Sequence, residues 1–478
     1  MADHVPFSCP QTAWAEQEPD DWWRAAQHAI RAALTAAGVE PRDIKSVGLS
    51  GQMHGAVLLD EHDHVVRPAI IWCDQRTERE CEWLSDTIGR ARLLALTSNP
   101  ALTNFTLPKL LWVRGHEPAA WRRVRRVLLP KDFVRLRLSG EHAIDVADAS
   151  GTLMLDVARR QWSQEILDAA AIDPAMLPKL FESPEICARV SRAGAAATGL
   201  AEGTPIVAGA GDQAAGAVGL GITRPGTVSV TIGTSGVVFA ATDRPALDPA
   251  GRLHTFCHAI PDRWHLMGVT QAAGLSLRWL REQLEPELGS DDAYAKLTAA
   301  AAAIAPGADG LLWAPYLMGE RTPHLDPNIR GALIGLAANH TRGHIVRAVL
   351  EGVAFSLRDS FTIFAELGVP IRRVRLGGGG ARSPLWRQVQ ADVYAHDVEM
   401  ASADEGAAYG AALLAGVGAG VWATVDDACD RLVQTAVAAR ANPATAVIMN
   451  ERYAAYRRIY PALRAIESIH AGPIHSAS

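Results

Sequence analysis

Asp212 stands where a carboxylate could do acid–base chemistry. An apolar run, 205–209, leads into Gly211-Asp212-Gln213, and a small-residue helix pattern, 214–220, leads away from it. That order reads as strand, turn, helix, and strand ends are where open α/β sheets bind ligands. A carboxylate there suits general-base work. An Asp in the same place is also a common helix N-cap, and the residue alone does not choose between the two. Three further turns of similar kind follow expected strands: Ser50-Gly51-Gln52-Met53-His54-Gly55, Gly233-Thr234-Ser235-Gly236, and the glycine run 377–380 with Ala381-Arg382-Ser383.

Each turn offers a different chemistry. Gly-Thr-Ser-Gly supplies backbone N–H groups and two hydroxyls, which can cradle phosphate oxygens without a lysine. Four glycines leading into a helix allow close backbone approach beside a positive helix N-terminus. They lack the GxGxxG spacing of a dinucleotide fold. Gln52 and His54 offer donors and acceptors for hydroxyl groups. Taken singly, each has an ordinary reading: a hairpin turn for 233–236, a satisfied loop histidine for His54, a core side chain for Met53. Their joint occurrence, in order along both halves, favours function.

The elements that position these turns alternate between strand and helix. Residues 22–37 carry apolar side chains at helical spacing, with Asp20 and Asp21 as expected caps. Strands are expected at 44–50 and 56–60, with His62-Asp63 as the turn that follows, and helices at 77–87 and 107–115. The Arg-rich run 121–126 reads as a solvated helix face. A composition shift near residue 222 divides the chain into 1–222 and 223–478. The second part reads as strands 227–232 and 236–241, helices 293–304 and 343–367, a strand at 373–376 and a helix at 407–419. The pattern is α/β in both parts, with a cleft expected between two domains.

Composition excludes several classes. The 478 residues are 49% hydrophobic and 21% charged, with a net charge of −6, so no general field attracts nucleic acid or an acidic membrane. Only five residues are Lys, at 45, 109, 131, 179 and 296, and none follows a Gly, so the chain has no Walker A loop. No apolar run reaches membrane-spanning length, and no basic region precedes an apolar core at the N-terminus. The six cysteines form no CxxC pair and read as reduced thiols of a cytoplasmic protein.

The turns and their flanks resemble the FGGY carbohydrate kinases. The matching residues are 51–55, 68–76, 105–112, 129–132, 209–219, 232–236, 315–323 and the glycine run with Ala381-Arg382-Ser383. The most specific is Gly331-x-Leu333-x-Gly335-Leu336 followed by His344-Ile345-x-x-Ala348-Val349-Leu350-Glu351. The resemblance covers about residues 12–465. It implies an actin-like ATPase fold (ASKHA, ribonuclease H-like) of two domains, an N-terminal sugar-binding domain at 1–222 and a C-terminal nucleotide-binding domain at 223–478. It implies phosphorylation of D-xylulose to D-xylulose 5-phosphate by ATP with Mg2+. A kinase for another ketose or polyol is one alternative, and an inactive sugar-binding relative is the other. Asp212 would be the catalytic base. Gln52, Met53, His54, Asp212 and Gln213 would bind the sugar. Gly233 and Thr234 would meet the transferred phosphate, and Gly379, Gly380 and Ser383 the adenosine. No protein metal ligand is implied, and homodimerisation is left open.

The sequence departs from the family in one place. Family members begin with a strand bearing Asp-x-Gly-Thr, and this chain contains no such motif. It starts near the segment that follows those first strands in relatives. A misplaced start, with the strands encoded upstream, is the expected explanation, and a truncated inactive relative is the alternative. An in-frame Asp-x-Gly-Thr or a close stop codon upstream of Met1 would separate them.

Overall fold

A computed structural model describes residues 5–284, 286, 290–402 and 406–470. The backbone groups into two compact units: Met1–Thr223 with Ala241–His265 and Ala403–Gln434, and Arg224–Ala240 with Leu266–Ser402 and Thr435–Ser478.

The first unit is built from short strand pairs. Glu16–Gln17 pairs antiparallel with Ala69–Ile70, and Val57–Leu59 with Arg126–Leu128. Ala143–Asp145 runs parallel to Lys179–Phe181. Ser50–Gly51 runs parallel to Ala210–Gly211, which sets the two turns after them side by side. The expected strand 44–50 is mostly irregular, with a single bridge from Val47 to Ile206 before Ser50. The first helix is Pro19–Ala37. Asp20 and Asp21 lie in its first turn rather than at its cap, because Pro19 takes the first helical position, where its missing N–H is harmless. Acidic side chains there still complement the helix dipole. The Arg-rich run splits: Pro118–Trp121 is helical, and Arg126 begins a strand whose Val127 and Leu128 are buried.

Two helices of this unit touch backbone to backbone. They are Asp212–Gly219 and Gly406–Gly418. A Cβ added at Gly219 would overlap the Gly406 carbonyl oxygen, and one added at Gly410 would overlap the Ala215 carbonyl oxygen. Ala214, Ala215, Val218, Leu413, Leu414 and Ala415 surround the crossing in one buried cluster.

The second unit contains most of a mixed sheet. Six of its seven strands run in the order Trp264–Thr270, Gly236–Thr242, Gly226–Ile232, Ile371–Gly377, Val398–Ala401, Thr435–Ala439. Gly226–Ile232 and Gly236–Thr242 form an antiparallel hairpin closed by 233–235. Gly226–Ile232 and Ile371–Gly377 run parallel, with Thr231 opposite Gly377. The 25-residue helix Arg342–Glu366 is buried along most of its length, and Thr341 with His344 closes its capping box. Among the described residues, no helix is long and apolar enough to cross a membrane.

The helix crossing yields a paired stability prediction. Gly410→Ala overpacks the crossing, with the new Cβ 2.9 Å from the Gly219 nitrogen. It should lose at least about 1–3 kcal/mol, read as a lower urea midpoint. Gly115→Ala lies in the helix Thr106–His116 with nothing near its added Cβ, and should instead gain about 0.5–1 kcal/mol.

Candidate active site

Three segments of the first unit meet at glycines: 50–54, 148–151 and 211–213. A Cβ at Gly211 would lie 2.7 Å from Met53 Cγ and 3.2 Å from Asp148 Oδ1. A Cβ at Gly151 would lie 2.8 Å from His54 Nδ1 and 3.1 Å from Met53 Cε. Met53 therefore spans both glycines, beside the turn that carries Asp212. The His54 ring packs edge-on against Phe105, with centroids 5.1 Å apart. Its Nδ1 is 2.6 Å from the Gly151 carbonyl oxygen, an acceptor only, so Nδ1 carries a proton.

Asp212 is the first residue of its helix, and the cap position belongs to Gly211. The N-cap reading of Asp212 is thus set aside. Its surface is partly open, yet protein crowds around it, and burial pushes its carboxyl up to about 6. Hydrogen bonds from the Gln213 backbone and side chain oppose that rise. Gln213 is accordingly turned onto Asp212. Gln52 is engaged elsewhere: its Nε2 donates to Gln17 Oε1 at 2.8 Å, which also accepts from Trp22 Nε1 at 3.1 Å.

Under Gly211 lies a buried charge cluster. Lys131 Nζ is 2.6 Å from Asp132 Oδ1, 2.8 Å from Asp145 Oδ1 and 3.6 Å from Asp148 Oδ2, and all four side chains are inaccessible. Arg135 adds a second cation, donating to Asp132 Oδ1 at 2.7 Å. Burial alone would lower the Lys131 ammonium, but the carboxylates around it carry it above its ordinary range. The two cations balance Asp132 and Asp145. Asp148 is the third carboxyl; neither of its oxygens has a hydrogen-bond partner, and burial pushes it well above its ordinary value. The Lys131 ammonium, 3.6 Å away, opposes that rise. Asp132, Asp145 and Asp148 are close enough together to suit a metal ion. The Lys131 ammonium already fills the space between them, so they do not fit one.

Lys109 is the other fully buried lysine. Its Nζ donates to the carbonyl oxygens of His54 (2.9 Å) and Asn104 (2.7 Å). Burial draws its ammonium down to about 7, against the opposing pull of Asp74. Lys109, Lys131 and Asp148 carried no role in the sequence reading. A signal was present: Lys109 interrupts the apolar run 105–112, and Lys is scarce in this chain.

The second unit brings two more turns together. Gly233 and Thr234 are exposed at the hairpin tip. The Gly233 carbonyl accepts from Gly274 N at 2.8 Å, and the Thr234 carbonyl from Leu275 N at 3.1 Å. Gly274 opens the helix Gly274–Leu284. A trans peptide points its N–H opposite to its C=O. With both carbonyls turned to that helix, the N–H groups of Thr234 and Ser235 point away from it, the arrangement of an anion-binding concavity. The glycine run lies against the same strand. Gly378 has φ +74°, and a Cβ there would be 2.6 Å from the Ile232 carbonyl oxygen. Gly379 is exposed, whereas Gly380 is buried on the Ile232 side chain. Ser383 Oγ caps the helix Pro384–Tyr394 by accepting from Trp386 N at 3.3 Å.

The charge cluster makes a prediction. Lys131→Met leaves buried carboxylates without their cation and should lose about 3–5 kcal/mol at neutral pH. Uncompensated carboxyls titrate high, so the deficit should shrink as the solution is acidified from pH 8 to 5. Urea midpoints of the variant and parent across that range check it.

Comparison with known proteins identifies the family. Residues 2–219 match the N-terminal domain, and residues 228–419 the C-terminal domain, of the FGGY family of carbohydrate kinases. The chain is 42% identical to the xylulose kinase of Escherichia coli over 420 residues, covering 88% of this chain and 85% of that protein. It is 39% identical to the xylulose kinase of Bacillus subtilis over 433 residues, covering 91% and 86%. The crystal structure of a xylulose kinase from Brucella ovis superimposes with a TM-score of 0.88 at 36% identity, covering 97% of this chain and 94% of that one. With matches to both domains and extensive identity to its members, the chain belongs to the FGGY family of carbohydrate kinases and has their two-domain α/β actin-like fold.

Proposed function

We propose that the protein transfers the terminal phosphoryl group of ATP to the 5-hydroxyl of D-xylulose, giving D-xylulose 5-phosphate and ADP. The observation that carries this reading is Asp212, a carboxyl with a basicity near 6, beside the Met53–His54 turn. The likeness to two bacterial xylulose kinases supports the choice of sugar.

In this reading residues 1–222 hold the sugar and residues 223–478 the nucleotide. Met53 and His54 line the ketopentose, with Gln213 beside the base, while Gln52 steadies the turn through its bond to Gln17. Asp212 accepts the proton of the 5-hydroxyl as its oxygen attacks the γ-phosphorus and the bond to the β,γ-bridging oxygen breaks. A base of about this strength is ionised at neutral pH and still takes up a proton in the transition state. Gly233 and Thr234 receive the transferred phosphoryl through main-chain donors, and positioning of this kind carries most of phosphoryl-transfer catalysis. Gly379 and Ser383 flank the adenosine, with Gly380 shaping the loop from beneath. Mg2+ enters with ATP, and no carboxylate of this chain is assigned to it. Six cysteines without disulfide partners support a cytoplasmic setting.

Coupled ADP release should show D-xylulose as the best of a panel including other pentuloses, glycerol and gluconate; a better substrate in the panel would replace this reading. Asp212→Asn should lower kcat by about 10²–10⁴-fold while leaving the thermal midpoint close to the parent's. The base must be ionised, so kcat should fall with acid below pH about 6, approaching tenfold per unit. A flat acid limb to pH 5 would remove Asp212 from that role.

A further inference from the structure

His54 adopts a left-handed backbone conformation, φ +68°, which is uncommon outside glycine although His takes it more readily than most side chains. Something outside the turn must hold it there. Its carbonyl oxygen accepts two hydrogen bonds, from Lys109 Nζ at 2.9 Å and from Thr106 Oγ1 at 3.1 Å. Both donors come from the helix Thr106–His116, and both side chains are wholly buried. On the other side, the Gly151 carbonyl accepts from the imidazole, and the ring lies so close that a Cβ at Gly151 would be 2.8 Å from His54 Nδ1. The residue is gripped at carbonyl and ring together.

We propose that Lys109, assisted by Thr106, is a positioning residue for the sugar site: it locks His54 in its left-handed conformation and so aims the imidazole. A fully buried lysine is otherwise hard to account for, since burial is tolerated only when the ammonium is satisfied. Here the ammonium is spent on two main-chain carbonyls, those of His54 and Asn104. Without it, the His54 carbonyl would lose one of its two donors, and the turn could relax toward ordinary backbone angles, withdrawing the ring.

The inference rests on the D-xylulose kinase reading. Turnover by the unaltered protein tests that reading separately, and ratios among variants test this one. Lys109→Met should raise the KM for D-xylulose about tenfold or more, while KM for ATP stays within about twofold. In a His54→Ala background the same change should move the D-xylulose KM by less than about twofold, because the group being aimed is gone. Thr106→Val, nearly isosteric, should raise the D-xylulose KM about two- to fivefold with the same dependence on His54, and it keeps the test available if Lys109→Met does not fold. Equal effects with and without His54, parallel shifts in both KM values, or an unchanged KM in Thr106→Val would each overturn the assignment.

Discussion

The position of Asp212 depends on places where no side chain fits. Its helix meets Gly406–Gly418 with main chain against main chain, at Gly219 and at Gly410. Upstream, a Cβ at Gly209 would overlap the Leu49 carbonyl oxygen, so the strand end is drawn against the segment leading to 50–54. The parallel pairing of Ala210 with Ser50 and of Gly211 with Gly51 then follows. Backbone contact of this kind leaves little freedom for slippage, because interiors are close-packed and carbonyl oxygens do not yield as side-chain ends do. The carboxylate is aimed by the main chain, and the small residues around it are what allow the main chain that near.

The same crowding decides the electrostatics. Beneath Gly211 two cations balance two carboxylates, and Asp148 is left over. Burial pushes the Asp148 carboxyl well above its ordinary value against the pull of Lys131, and the neighbouring carboxylates, Asp212 among them, add to the rise. Asp212 itself rises to about 6 through burial, against the hydrogen bonds of Gln213. Lys131 holds the cluster together by ion pairs with Asp132 and Asp145, while burial in the same crowded region raises the Asp212 carboxyl.

What could be read in the sequence was what local rules govern. The strands 226–232, 236–242 and 371–377 and the helix 342–366 follow from period and from turn residues, and they lie within a few residues of expectation. So do the turns at their ends. The strand expected at 44–50 was misjudged because its apolar alternation reports a half-buried face, whereas a ladder needs partners, and only Val47, Ser50 and Gly51 find them. Asp148, Lys109 and Lys131 escaped for a related reason. A titratable residue in an apolar run looks alike whether it snorkels to the surface or is buried on a carbonyl, and only tertiary contacts separate the two. Gly380 and Ser383 were read as ligand contacts, and the structure adds structural duties to both: one packs on Ile232 and the other caps a helix.

The chain has few lysines and no glycine–lysine loop, and its hairpin 233–236 instead turns main-chain N–H groups outward. The reason is peptide geometry. Gly274 and Leu275 have N–H groups that the start of their helix leaves without internal partners. They are satisfied by the carbonyls of Gly233 and Thr234. Those two bonds hold the carbonyls on the helix side and so hold the following N–H groups on the other. Glycine at 274 is required, since a Cβ there would collide with the Gly233 carbonyl oxygen. A helix end that needed acceptors and a loop that needed its carbonyls turned away satisfy each other. The donors left facing outward are fixed before any ligand arrives, and preorganised donors stabilise developing charge better than mobile ones. A lysine would add charge to such a loop, but its flexible stem would have to be ordered on binding, which rigid amides avoid.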